Sequence, residues 1–273
     1  MLMSITDVIV ESFKLYKNNF KRFFVFMVLT FVPGALVIIS KFLLTNFFSG
    51  KTLGGLGLSY LVFLIVALLL SAISFWCNVA FIRVIAHAYT GQVSSSVGTE
   101  LSSATKIFWP AIGVTILTVL AVLGGMILLI IPGIIFMLWF AFSYASVTID
   151  NTNVMDGMHK SKALVDGRWW KVLWRLFFPT VVFGIVAVIA ANIVEMPLTY
   201  ILKNTAPTSS LFATWSLLAK IIDSFTTAIF TPLTTIAMVV LYFELKKDPQ
   251  GAVVPQMAEA KTSTPLSPPT KNI

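Results

Sequence analysis

A chain of 273 residues with 58% hydrophobic and only 11% charged residues, and a mean hydropathy of +0.92, is too apolar for a soluble domain and reads as an integral membrane protein. Its net charge of +8 and pI near 9.6 are spread along the flanks of apolar runs, which excludes a nucleic-acid-binding domain. The single cysteine, Cys77, excludes an intrachain disulfide.

The first predicted element is an amphipathic helix over residues 4 to 21, started by Ser4 or Thr6. Ile5, Val8, Ile9, Phe13, Tyr16 and Phe20 share one face, and Asp7, Glu11, Lys14, Asn18 and Lys21 share the other. A span follows at about 23–44, uncharged from Phe23 to Ser40. The glycines at 54, 55 and 57 read as a short outer loop, and a second span covers about 57–82, with Arg83 and His87 marking its membrane edge. A weaker amphipathic stretch leads into the third span, with Leu101, Ala104 and Phe108 on one side and Glu100, Ser103 and Lys106 on the other.

Residues 107 to 149 contain no charge, and a single helix of that length would reach roughly 64 Å, about twice the hydrocarbon thickness. The run must fold back. Pro132 and Gly133 supply the turn chemistry, giving spans at about 107–131 and 134–149. A second amphipathic helix covers 152–171, with Val154, Met158, Ser161, Val165, Trp169 and Val172 on one face and Asp156, Lys160 and Arg168 away from it. Spans at about 172–194 and 221–243 complete six, and the Pro, Ser, Thr and Lys composition of 247–273 predicts a disordered tail. The expectation is an all-α polytopic protein of six transmembrane helices in three tandem hairpin units with cytoplasmic amphipathic helices. Residues 1–246 form the membrane domain.

Fifteen lysines and arginines fall on one side of this arrangement, against Lys41, Lys51 and Lys203 on the other. The positive-inside rule therefore places both termini in the cytoplasm. The two amphipathic segments also repeat: Ser12, Leu15, Asn18 and Phe20 correspond to Ser161, Leu164, Gly167 and Trp169 at a constant offset. Three stretches stand in order around this repeat: Glu11 to Phe24 (ESFKLYKNNFKRFF), Ile131 to Leu176 with its Pro-Gly and its Ser161, Leu164, Gly167, Trp169 pattern, and Leu241 to Lys246 (LYFELK). In them the chain resembles the six-span membrane domain found alone in many bacteria and fused ahead of some glycerophosphodiester phosphodiesterases. The resemblance implies a multi-pass domain of the bacterial inner membrane. It does not imply phosphodiesterase activity, which belongs in those fusions to a separate soluble barrel.

Candidate functional residues fall in two sets. Lys14, Lys17, Phe20, Arg22, Lys160, Lys162, Arg168, Trp169, Trp170, Lys171, Trp174 and Arg175 combine cations with aromatic rings at the expected headgroup level, which suits anionic lipid or a membrane-protein partner. Asn78, Asn192, Glu195, Lys220 and Asp223 are the polar groups within or beside the spans, with Lys220 and Asp223 spaced to pair. No HExxH, phosphate-binding glycine loop or serine elbow is present, so the expectation is a non-enzymatic protein without cofactor. A permease, using Glu195, Lys220 or Asp223 in an enclosed path, is the alternative. An intramembrane enzyme would need His87 and His159 to converge with a carboxylate. Reporter fusions after Gly50 and after Lys247 should read external and cytoplasmic respectively; the reverse would sink the six-span topology.

Overall fold

The computed structural model describes residues 2–47, 53–92, 96–207 and 209–248. Among them the fold is all-α, with nine helices and no strand: α1 (Ile5–Asn18), α2 (Phe20–Phe47), α3 (Leu53–Thr90), α4 (Val97–Leu128), α5 (Ile130–Trp139), α6 (Ser143–Asp150), α7 (Val154–Val165), α8 (Trp169–Lys203) and α9 (Ser210–Lys247). Taking α5 and α6 as one crossing, six segments are long and apolar enough to span a bilayer, and the chain is a polytopic membrane protein. Of the tail expected at 247–273, Lys247 instead closes α9, and residues from 249 onward lie outside the described residues.

The offset between the two halves governs where helices begin. α1 starts at Ile5 and α2 at Phe20; α7 starts at Val154 and α8 at Trp169, each 149 residues later. Ser4 caps α1, accepting a hydrogen bond from the Asp7 amide while the Asp7 carboxylate takes those of the Ser4 amide and hydroxyl. Asn19 separates α1 from α2, its side-chain amide donating to the Leu15 carbonyl. Between α7 and α8 the break is made by Gly167, whose φ of +73° costs a glycine little. The middle entry segment has no such break, and Glu100 to Phe108 are simply the first turns of α4.

Three sequential hairpins, α2/α3, α4/α5 and α8/α9, make the most extensive contacts, and α9 also packs on α2. The hairpin after α4 turns three residues before Pro132. Leu129 adopts an extended conformation between α4 and α5, and Pro132 sits in the first turn of α5, where a missing N–H is harmless. Gly133 is used for close packing: a Cβ there would meet the Met126 side chain and lie 2.9 Å from its backbone nitrogen. The glycines at 54, 55 and 57 likewise lie in the first turns of α3.

The fourth crossing is interrupted at Phe140 to Phe142. Ser161 of α7 repairs the break, its hydroxyl accepting from the Phe142 amide at 3.0 Å and donating to the Trp139 carbonyl at 2.6 Å. Its counterpart Ser12 is also fully buried but donates to Val8 of its own helix. The repeated serine thus closes a gap between helices only in its second copy.

Packing is uneven along the bundle. The core is built from the second half of α3 (Cys77 to Ala86), the last turns of α9, and parts of α2, α4, α6 and α7. By contrast none of the most apolar window of α3 is buried, whereas half of that of α9 is, which makes α9 the central helix and the first half of α3 peripheral. Exposed Leu, Ile and Val in the peripheral parts are satisfied by lipid tails, which are as apolar as they are. We expect Gly133→Val to cost about 1–3 kcal/mol by forcing α4 and α5 apart. Thermal unfolding in detergent would register it, and an unchanged midpoint would contradict the tight glycine contact.

Candidate functional site

The helices that precede α2 and α8 pack more deeply than surface helices. The buried stripe of α1 is Val8, Ser12 and Leu15, and Val8 sits with Phe183 of α8 and Leu233 and Ala237 of α9. The Tyr16 hydroxyl donates to the Ile229 carbonyl at 3.0 Å, about 27 Å along α9 from Lys247. Burial there pushes its pKa up to about 12. Phe13 and Phe20, expected on the packed face, are exposed instead. Ser12 is small enough to let α1 approach closely, while outward aromatic rings meet lipid at no cost.

A similar exchange occurs at the start of α8. Trp169, expected inward, is exposed, and Arg168, expected outward, is only 8% exposed. Arg168 closes the end of α9: Nη2 donates to the Leu245 carbonyl at 3.1 Å, Nη1 to the Asp248 carbonyl, and Nε to Leu164 of its own segment. These carbonyls would otherwise lack helical partners, so the guanidinium acts as a cap. Burial pulls its pKa below the ordinary arginine value, and the Asp248 carboxylate opposes that shift. Two turns on, Arg175 donates from Nε to the Met3 carbonyl at 2.7 Å. Residues 3 and 248 are therefore held at the same end of the bundle by α8.

The other interface candidates divide by environment. Trp170, Lys171, Trp174 and Arg175 come together with Ile5 and Phe178 around an open cleft of about 450 Å³. Trp169, Trp170 and Trp174 form an exposed ladder, with centroid separations of 4.3 Å and 6.2 Å. Lys14 and Lys17 are exposed on α1. Lys160 pairs with Asp150 at 3.7 Å, and Lys162 lies 4.4 Å above the Trp139 ring. Arg22 turns toward Glu100, 3.8 Å away.

Among the polar candidates, Asn78 accepts a hydrogen bond from the Tyr144 hydroxyl at 3.2 Å, and Asn192 donates to Val188 of its own helix. Asp223 of α9 lies beside Glu195 of α8. Lys220 lines a cleft with Lys41 between α2 and α9. Lys220 and Asp223 are exposed and Glu195 is half-buried.

Two charge clusters are not apparent from the sequence pattern. Glu100, placed above on a polar face, is 2% exposed. His87 Nδ1 is 2.8 Å from Oε1, Arg22 is 3.8 Å from the same oxygen, and Arg83 Nε is 3.9 Å from Oε2. Arg83 reaches onward from Nη1 to the Thr148 carbonyl at 3.0 Å and the Asn151 side chain at 2.7 Å. His87 and Arg83 therefore belong to an inter-helix cluster and do not simply mark the edge of a span. The one available signal was that Glu100 is the sole acidic residue between positions 12 and 149, in a stretch holding several cations. In the second cluster, Asp150 accepts from the Tyr242 hydroxyl at 2.9 Å and from Lys246 at 2.9 Å. His159 is exposed on α7, and no group of three His, Cys, Asp or Glu side chains able to hold a metal occurs among the described residues.

No family model, curated protein or solved structure matches this chain. Removing the Glu100 charge should be severe, because Glu100→Ala leaves the largely buried Arg83 guanidinium without its counter-charge, at about 3–5 kcal/mol. Glu100→Gln keeps the side-chain volume and should be milder. Thermal stability in detergent separates the two, and equal tolerance of both would show that the cluster contributes little.

Proposed function

We propose that this is a non-enzymatic protein of the bacterial inner membrane, a member of the six-span domain group found fused to some glycerophosphodiester phosphodiesterases. In this reading both termini face the cytoplasm, and the segments around α1, α7 and the start of α8 form an amphipathic collar that binds anionic lipid. The observation that carries the reading is the exposed Trp169, Trp170 and Trp174 ladder beside Lys171 and Arg175. Tryptophan favours headgroup depth, and each basic side chain near an anionic surface contributes about 1 kcal/mol. The three rings and Lys171 are exposed and are not consumed by internal packing as Arg168 is.

Native mass spectrometry of the purified full chain should find phosphatidylglycerol or cardiolipin retained. The combined W170A, K171Q and W174A variant should retain about tenfold less, given the loss of one cation and two anchoring rings. A protein that copurifies in place of lipid, or equal lipid retention by the variant, would overturn the reading.

A further inference from the structure

A second basic cleft lies away from the tryptophan ladder, between α3, the start of α4 and the turn joining α6 to α7. It encloses about 430 Å³ and is lined by Arg83, Ser103, Lys106, Ile107, Pro110, Asn151, Thr152 and Asn153. Its donors are largely uncommitted. Both hydrogen bonds of Arg83 leave from Nη1, Nε is buried without a hydrogen-bond partner, and Nη2 makes no hydrogen bond among the described residues. Neither the Ser103 hydroxyl nor the Lys106 ammonium has a partner among the described residues. Asn153, at the start of the 12-residue α7, makes no side-chain capping bond, so the first amides of that helix are open toward the turn.

The local charge favours an anion. Arg83 and Lys106 line the cleft and no carboxylate does, the Glu100 carboxylate lying against Arg83 Nε and His87. Asp156, in the first turn of α7, does not line the cleft. Arg83 Nε faces Glu100, so Nη2 is the guanidinium donor left for a phosphate oxygen, and an ammonium, a hydroxyl and helix N-terminal amides complete its coordination. Ile107 and Pro110 give the cleft an apolar wall on α4, and the adjacent Trp109 is 75% exposed, as expected for a ring at the membrane interface.

We propose that this cleft binds a phosphate group, with Arg83 and Lys106 as the charge partners and Ser103 as a hydrogen-bond donor. The phosphate can come from a lipid headgroup or from a soluble anion, and the site is independent of the tryptophan ladder. Calorimetry on the full chain in detergent tests it with three probes: inorganic phosphate, dihexanoyl phosphatidic acid and, as a control, dihexanoyl phosphatidylcholine. Because Arg83 also holds the α6–α7 turn, the informative variants are Lys106→Gln and Ser103→Ala, with unchanged thermal unfolding as the check on folding. Lys106→Gln should weaken binding about tenfold and Ser103→Ala a few-fold. Binding of phosphatidic acid alone supports a lipid source, and binding of both anions supports a soluble source as well. No binding of either anion, or wild-type affinity in Lys106→Gln, overturns the proposal. The W170A, K171Q and W174A variant should bind both probes as the wild type does, so failure of the ladder reading and failure of this one give different results.

Discussion

Glu100 is a carboxylate withdrawn from water in a chain that offers it few alternatives, and the arrangement of four segments follows from satisfying it. Its charge is met by Arg22 from α2 and by Arg83 and His87 from α3, while Arg83 extends to the turn between α6 and α7. A buried ion of this kind contributes little net stability, because desolvation offsets most of the attraction. What it supplies is selectivity among packings: a bundle in which α2, α3 and α4 slid past one another would leave an unpaired charge. Apolar contacts between spans cannot discriminate so sharply, since hydrocarbon tails compete equally for the same surfaces.

That difference explains the uneven packing. The densely buried half of the bundle is the half that holds the Glu100 and Asp150 clusters and the arginine caps; α9 packs against α1, α2, α3 and α8, and its Tyr242 bonds Asp150 of α6. In the opposite half, α3 presents its most apolar stretch outward. Specific polar links concentrate where the chain re-enters the membrane, and the elements between them are long apolar helices whose lateral neighbours are lipid. Arg168 and Arg175 extend the same logic to the ends of the chain, holding the carbonyls of Asp248 and Met3 against the first turns of α8.

The internal repeat shows how one sequence signature can carry two structural tasks. Both copies set a short helix, a break and a long helix in the same register. In the first, Ser12 merely allows α1 to lie close against α9 and bonds within its own helix. In the second, Ser161 bridges the interruption between α5 and α6, where two backbone groups would otherwise be buried without partners. The repeat therefore preserves backbone geometry, while the chemistry of its side chains depends on what each copy meets.

Hydropathy in the sequence alone determined the class and the number of crossings, because helix length against bilayer thickness is a local property; the helix starts, and the breaks at Asn19 and Gly167 inside the two expected amphipathic helices, came from the structure. Like span length, the ring and cation content of the α8 entry is local and was legible. What only the tertiary structure decided was which of those side chains face outward. Arg168 and Trp169 are adjacent, and nothing in their order says that the arginine turns in to cap α9 while the tryptophan turns out. In a membrane, an apolar residue is equally at home in the core or against lipid, so periodicity no longer identifies the buried face as it does in water. Partners distant in sequence settled the matter, among them Leu245 and Asp248 for Arg168, Ile229 for Tyr16, and Arg22, Arg83 and His87 for Glu100.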